Sequence, residues 1–111
     1  MSLVSAEFVS EARREFLDLP KGLQRQLRDL TPYLLANPFR SYPWLQVGEL
    51  HEMRGVWKFR LGSRRVFYTV DGSALVFVAI SPRPPAYTPA ARAELRRRLS
   101  AHQRTARPIR E

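Results

Sequence analysis

Three strand-like runs near the middle of the chain constrain the fold more than any other feature of the sequence. The runs lie at about 55–61, 65–70 and 74–80, and they are rich in β-branched and aromatic residues. Gly62-Ser63 separates the first two runs and Asp71-Gly72-Ser73 the last two, and both segments favour tight hairpin turns. Because strands joined by tight turns pair antiparallel, this part of the chain predicts a three-stranded meander that must bury one face.

Helical patterns precede the meander. Residues 3–8 predict a short strand, and Ser10 can cap a helix that carries Ala12, Phe16 and Leu17 on its inner side. Pro20 suits the first turn of a second helix, because the amide hydrogen that proline lacks is unpaired there. The second helix has a one-sided apolar stripe that consists of Leu23, Leu27, Leu30 and Leu34. Asn37-Pro38 should end this helix.

A loop and a last helix complete the predicted domain. Residues 38–48 read as an aromatic loop that packs against the domain. After the meander, Thr88 can cap an arginine-rich helix with Pro89 at its first position. Residues 1–102 are expected to form one domain and residues 103–111 a disordered basic tail. The predicted class is α+β: a short N-terminal strand and two helices pack on one face of an antiparallel sheet, with an additional C-terminal helix. The other face of the sheet is expected to be open.

The charge of the chain indicates the kind of partner. Lys and Arg number 19 against 10 Asp and Glu, which gives a net charge of +9 over 111 residues. This excess favours a polyanionic partner, either nucleic acid or an acidic protein, although a solubility role or an arginine-rich genome would also explain it. The chain has no cysteine, which excludes disulfides and fits a cytoplasmic location. Neither a signal peptide nor a membrane span is expected.

A two-residue turn at Gly62-Ser63 fixes which side chains share a face of the first hairpin. It pairs Arg60 with Arg65 and Lys58 with Phe67, so these four side chains lie on one face. The opposite face, which should pack on the helices, carries Trp57, Phe59, Leu61, Val66 and Tyr68. Like charges directly opposite each other destabilise a sheet by about 0.2–1 kcal/mol, whereas a phosphate between them is attracted to both. The basic face therefore indicates a phosphate site, unless its long side chains merely splay apart in solvent.

A three-residue second turn would enlarge this basic face. It would pair Val70 with Ala74, and the face would gain Leu75, Phe77, Ala79, Ser81 and Arg83. Tyr87 follows a few residues later. Cations beside an aromatic ring are typical of sites for unpaired nucleotides, although Tyr87 could equally act as a lid over the sheet edge.

Other chemistry has weaker support in the sequence. His51 lies between Glu49 and Glu52, and such a group can act as a general acid or base. A surface polar cluster is the commoner role for one histidine near carboxylates. Two histidines without cysteine predict no metal site.

The sequence from Gly48 to Gly72 resembles the centre of the RelE/ParE superfamily of toxins from toxin–antitoxin pairs, including RelE-like and HigB-like members. The strongest part is WKFRLGSRRVFY at 57–68, in which basic and apolar residues alternate, a glycine follows, and an arginine precedes two apolar residues and a tyrosine. Leu19-Pro20, and an arginine followed by a tyrosine after the last strand, resemble the same toxins. The similarity extends over roughly residues 5–90.

The resemblance implies a ribosome-dependent endoribonuclease that cleaves mRNA without a metal or other cofactor, through attack of a ribose 2′-OH on the adjacent phosphate. The residues that it assigns to catalysis are Lys58, Arg60, Arg65, Arg83 and Tyr87. Further candidates for RNA contact are Arg64, Phe67, Arg96 and Arg97. The implied partners are a cognate antitoxin, the ribosome and mRNA, in the cytoplasm and without a membrane.

The expected roles follow from the needs of this reaction, which are a base, cations around the phosphate and an acid. Arg60 and Arg65 would hold the phosphate, Lys58 would assist removal of the 2′-OH proton, Arg83 would stabilise the leaving oxygen, and Tyr87 would stack on a base. Arg60 is a departure, since arginine does not readily give up a proton and related toxins bear a lysine base there.

Two other functions stay open at the level of sequence. ParE-like relatives share the fold but inhibit DNA gyrase by protein contact, and they are expected to lack the full basic set. A non-catalytic RNA-binding relative is the second alternative. RNA cleavage separates the first function from both alternatives, and a DNA-damage response identifies the gyrase inhibitor.

Overall fold

The computed structural model of the chain describes residues 2–81 and 88–106. Five strands and three helices follow one another in the order β1, α1, α2, β2, β3, β4, β5, α3. Their bounds are β1 Ser5–Phe8, α1 Ser10–Leu17, α2 Lys21–Ala36, β2 Gly48–Glu49, β3 Val56–Leu61, β4 Arg64–Asp71, β5 Ala74–Ser81 and α3 Pro89–Ala106. The predicted α+β class is confirmed. None of the helices within the described residues is long and apolar enough to cross a membrane.

The five strands form one mixed sheet in the order β1-β5-β4-β3-β2. The meander β3–β4–β5 is antiparallel, as predicted, but β1 pairs parallel with the first half of β5, from Ser5 opposite Ala74 to Phe8 opposite Phe77. The sheet is therefore not purely antiparallel. The two-residue strand β2 was not predicted; it pairs Gly48 with Lys58.

The first hairpin has the predicted register. Arg60 lies opposite Arg65 and Lys58 opposite Phe67, with a two-residue turn at Gly62-Ser63. Gly62 adopts φ 64°, a left-handed conformation that glycine accepts without steric cost.

The second hairpin differs from the prediction. Its turn contains two residues, so Asp71 pairs with Ala74, and a bulge between Phe67 and Tyr68 then shifts the register. Because of the shorter turn, Leu75 and Phe77 belong to the main core beneath the helices, and the prediction that they join the basic face was wrong. Beyond the bulge Ala79 lies opposite Phe67 and Ser81 opposite Arg65, so these two residues share the face of the cations as predicted, although their partners on β4 differ from the predicted ones.

The main core lies between the sheet and the helices α1 and α2. The stripe of α2 contributes Leu27, Leu30 and Leu34, all buried, with Leu23 partly buried beside them. Leu17 is 59% exposed because α1 ends at this residue, so its predicted inward orientation was wrong.

A second apolar cluster occupies the opposite face of the sheet, which was expected to be open. Leu95 of α3 is buried there against Phe67 and Val78, together with Met53 and Val56. α3 therefore covers part of the face on which the cations lie. In the sequence Leu95 and Leu99 form only a thin apolar stripe, and this stripe does not indicate which surface it packs on.

Charged side chains attach α3 along the free half of β5. Arg98 binds both carboxylate oxygens of Glu15 at 2.9 and 3.0 Å and donates to the Val78 carbonyl at 3.0 Å. Glu15 also accepts the Ile80 amide at 2.9 Å. These contacts satisfy backbone groups that no strand pairs, which protects the edge from association with another chain.

The N-terminus of α3 has the predicted cap. The Thr88 hydroxyl accepts the Ala91 amide at 3.1 Å. The helix continues to Ala106, four residues beyond the predicted end of the domain, and residues 107–111 lie outside the described chain.

Candidate RNA-binding site

Three cations of the first hairpin form the centre of the candidate site. Arg60 and Arg65 are directly opposite each other on β3 and β4, and Lys58 lies two residues before Arg60 on the same face. Arg60 is exposed, whereas Lys58 and Arg65 are half-buried. The hairpin therefore holds three positive charges together at a partly desolvated surface.

Burial of the opposite face sets this arrangement. Phe59, Leu61 and Val66 are at most 1% exposed in the main core. A shift of the register by one residue would turn these side chains to the outside and the cations to the inside. The apolar residues of the hairpin thus position the charged ones.

A cavity of about 450 Å³ lies beside the cations. Lys58, Phe59, Arg60 and Arg65 form one side of the cavity, and residues 43–46 of the α2–β2 loop form the other. This volume lies within the range of about 300–1,000 Å³ that is usual for small-ligand sites. β2 pairs only with Trp57 and Lys58 in the first half of β3, and the cavity is lined by Lys58, Phe59 and Arg60 of this strand.

Several contacts hold the loop that forms the second wall. The side chain of Leu45 is buried in the main core. The Tyr68 hydroxyl donates to the Pro38 carbonyl at 2.6 Å inside the domain, and burial raises the pKa of Tyr68. Ser41 accepts the Val47 amide at 3.0 Å. The wall is therefore attached to the sheet at both ends.

The acidic residues of the fold pair mainly with cations elsewhere. Glu94 contacts Arg97 at 2.7 Å and Arg98 at 2.9 Å, and these hydrogen bonds, that of Arg97 foremost, lower the pKa of Glu94 to about 2. Within the described part of the chain, no ion pair joins Lys58 or Arg60 to a carboxylate. The positive charges of Lys58 and Arg60 are thus available for an anion.

The other predicted contacts have different surroundings. Phe67 is 3% exposed in the second apolar cluster, so its ring is not available to a nucleobase and that prediction was wrong. Arg64 lines a separate cavity of about 180 Å³ with Glu15 and Asp18.

The two candidates on α3 also lie apart from the basic cavity. Arg97 bridges Glu11 of α1 at 2.6 Å and Glu94 of its own helix at 2.7 Å, and the pair with Glu11 holds α3 on α1. Arg96 is exposed on α3. Neither residue lines the cavity. The remaining catalytic candidates, Arg83 and Tyr87, lie outside the described residues.

The histidine–carboxylate alternative receives no geometric support. A carboxylate oxygen of Glu49 accepts the Gly55 amide at 2.7 Å, which fixes the turn before β3. His51 and Glu52 are exposed, and neither lines the basic cavity. In the described residues no group of three or more His, Cys, Asp or Glu side chains is placed to hold a metal ion.

Sequence reasoning missed the contribution of the α2–β2 loop. Trp44 lines the basic cavity and is 56% exposed, although the loop was expected only to pack against the domain. The density of aromatic residues between 38 and 48 was the available signal. It did not show which ring would point outward.

Comparison with known structures identifies similar folds among toxins. The Escherichia coli toxin RelE, solved as a mutant in the free state, has a TM-score of 0.65 and 19% identity over 89% of this chain and 99% of that one. The archaeal RelE–RelB complex from Pyrococcus horikoshii gives 0.63 and 21% identity over 78% and 100%. The toxin–antitoxin complex RelBE2 from Mycobacterium tuberculosis gives 0.60 and 23% identity over 75% and 94%. No protein-family model and no curated protein matches the sequence. These similarities establish the fold of the chain.

Proposed function

Since the chain has the fold of RelE/YoeB/ParE-type toxins, we propose that it is the toxin of a toxin–antitoxin pair and cleaves mRNA on the ribosome. One observation carries the proposal: Arg60 and Arg65 face each other beside a 450 Å³ cavity, with Lys58 on the same face. Two guanidinium groups in this position suit a phosphodiester, which guanidinium binds through two parallel hydrogen bonds.

The proposed reaction uses a nucleophile that RNA itself supplies. The ribose 2′-oxygen forms a bond to the adjacent phosphorus, the bond to the 5′-oxygen breaks, and the products are a 2′,3′-cyclic phosphate and a 5′-hydroxyl. The 2′-OH proton passes to a base and a proton is returned to the 5′-oxygen. Negative charge grows on the non-bridging oxygens, where preorganised cations stabilise the transition state.

The proposed roles follow from position. Arg60 and Arg65 bind the phosphate and its developing charge, and Lys58 is placed on the same face to assist proton transfer from the 2′-OH. Arg83 is assigned to the leaving oxygen and Tyr87 to base stacking by the family resemblance. Because Arg60 cannot readily act as a base, Lys58 is the one side chain among the three cavity cations suited to proton transfer.

A cognate antitoxin is the proposed protein partner. Two of the similar structures are complexes of a toxin with a RelB-type antitoxin. An acidic antitoxin segment would complement a chain of net charge +9, and charge complementarity of this kind speeds association.

Cleavage of mRNA by the purified chain, with and without programmed ribosomes, tests the proposal. The expected result is cleavage that requires ribosomes and is lost in Arg65→Ala. No cleavage under either condition would contradict it. A supercoiling assay would then test gyrase inhibition, the function of ParE-like relatives.

A further inference from the structure

An exposed group of aromatic rings borders the basic cavity on the side of the α2–β2 loop. The group, here called the aromatic cluster, consists of Tyr33, Tyr42 and Trp44. Tyr42 and Trp44 are stacked with ring centroids 5.1 Å apart and planes at 18°. Tyr33 is roughly perpendicular to both rings, with its centroid 4.8 Å from that of Trp44 and 5.6 Å from that of Tyr42, and the Arg40 guanidinium lies 4.9 Å from the Tyr42 ring centroid.

Trp44 is the member of the cluster that reaches the cavity. One face of its indole is covered by Tyr42, yet 56% of the residue is exposed. The exposed surface of Trp44 therefore lies on the parts of the residue that Tyr42 does not cover. Trp44 also lines a second cavity of about 340 Å³, and Arg60 and Leu45 are common to both.

Tyr42 packs partly buried against the main core, but core packing does not account for Tyr33 and Trp44. Tyr33 is 47% exposed on α2, outside the leucine stripe that faces the sheet. The loop is nevertheless held in place, because Leu45 is buried and the Gln46 amide donates to the Tyr42 carbonyl at 2.6 Å. Trp44 is thus an exposed ring on a supported backbone, which lowers the entropic cost of binding.

We propose that the free face of Trp44 stacks on an unpaired nucleobase of the RNA whose phosphate is bound by Arg60 and Arg65. This inference rests on the proposed function and adds a base-binding surface to it. Single-strand sites combine cations for the backbone with aromatic rings for the bases, and both line the same 450 Å³ cavity here. Bases within a duplex are already stacked, so the platform selects single-stranded RNA.

Measuring the affinity of the full chain for two short RNAs separates the contribution of the nucleobases from that of the phosphate backbone. One probe is a labelled single-stranded RNA of about ten nucleotides, and the other is the same RNA with abasic sites. Trp44→Ala should weaken binding of the first about 5- to 150-fold, the range expected for loss of one stacked base. It should leave binding of the abasic RNA unchanged. Trp44→Phe, which keeps an aromatic ring, should retain most of the affinity.

Salt dependence supplies a second readout that distinguishes the two kinds of contact. Arg60→Gln should weaken both probes and reduce the slope of log affinity against log salt by about 0.7, since one phosphate contact is lost. Trp44→Ala should lower the affinity by the same factor at every salt concentration, because stacking releases no counterions. Phe39→Ala is the matched control, being a 43% exposed aromatic residue of the same loop that does not line the cavity.

The outcomes separate this inference from the proposed function. Weaker binding of both probes by Arg60→Gln, with no effect of Trp44→Ala, would overturn the base platform and leave the phosphate site. An aromatic cluster that RNA does not use would then be a docking surface for a protein segment. Equal losses for both probes in Trp44→Ala would also overturn the inference. Absence of RNA binding by the unmodified chain would contradict both the inference and the phosphate site.

Discussion

The Arg60–Arg65 pair should cost the fold stability in the absence of an anion. The two residues lie directly opposite each other, and within the described residues Arg60 has no ion pair that offsets the repulsion. Arg60→Gln removes one charge at an exposed position and keeps a polar side chain. We therefore expect this substitution to stabilise the unliganded protein while it weakens RNA binding.

The magnitude follows from the cross-strand geometry. Relief of a like-charge pair is worth about 0.2–1 kcal/mol. For a chain of 111 residues this free energy corresponds to a rise in melting temperature of about 1–4 °C. The gain should be largest at low ionic strength and should shrink toward zero at 1 M salt, where the screening length is about 3 Å. Thermal unfolding followed by circular dichroism at both salt concentrations measures it.

Arg25→Gln is the matched control for this measurement. Arg25 is an exposed arginine of α2 that faces away from the leucine stripe and lies outside the basic cavity. Its substitution should change stability by less than about 0.5 kcal/mol. A lower melting temperature for Arg60→Gln at low salt would refute the reasoning, since it would mean that the side chain stabilises the unliganded hairpin.

Three further predictions concern the elements that support the site. Tyr68→Phe should lower the free energy of unfolding by about 1–3 kcal/mol in urea titrations, because the buried Pro38 carbonyl loses its hydroxyl donor; an unchanged midpoint would mean that this bond does not hold the loop. Glu94 has a pKa of about 2 in the folded chain against an ordinary 4.5, so its contribution to stability is present above pH 4.5 and is lost as the pH falls toward 2. Glu94→Gln should remove this part of the pH dependence of the melting temperature, and an identical acid profile would contradict the assignment. Gly62→Ala should destabilise the protein by about 1–2 kcal/mol, since φ is +64° and the new methyl carbon would lie 3.3 Å from the Leu23 side chain of α2. Gly22→Ala on α2 is the control, because its methyl group would meet open space and the substitution should be neutral or stabilising. Equal effects of the two substitutions in chemical denaturation would refute the argument.

The first hairpin was predictable because two independent signals agreed. The Gly62-Ser63 turn fixed the loop length, and the alternation from Trp57 to Tyr68 assigned one face to the core. A register shifted by one residue would have buried Arg60 or exposed Phe59, so the placement of the cations followed from the turn and the alternation together.

The register of the second hairpin could not be predicted in this way. The segment from Ala74 to Ile80 is apolar throughout and therefore carries no alternation to choose between a two-residue and a three-residue turn. The bulge at Phe67 then exchanges the faces in a way that depends on packing across the sheet. Leu75 and Phe77 were misassigned for this reason.

Local sequence patterns did not predict the position of α3 either. Leu95 and Leu99 indicated a thin apolar stripe, but its partner surface includes Met53 and Phe67, which are distant in sequence. The ion pair of Arg98 with Glu15 spans 83 residues and gives no sequence signal. Because α3 packs on this face, Phe67 is buried in the second apolar cluster and is not exposed for contact with RNA.

The α2–β2 loop limited the prediction of the site itself. Its aromatic composition indicated packing, and Leu45 does pack in the main core. Trp44, one residue earlier, points outward instead, and an irregular loop has no periodicity that would distinguish the two.

Single-turnover cleavage of mRNA on programmed ribosomes tests most directly whether the cations of the first hairpin form the active site. Lys58→Ala and Arg60→Gln should each lower the cleavage rate about 100- to 1,000-fold, the usual effect of removing one preorganised group that stabilises the transition state, while Arg25→Gln should cleave at the unmodified rate. Melting temperatures at or above that of the unmodified chain would show that the loss in Arg60→Gln does not come from unfolding. Cleavage at the unmodified rate by both Lys58→Ala and Arg60→Gln would contradict the account and place the chemistry elsewhere on the chain.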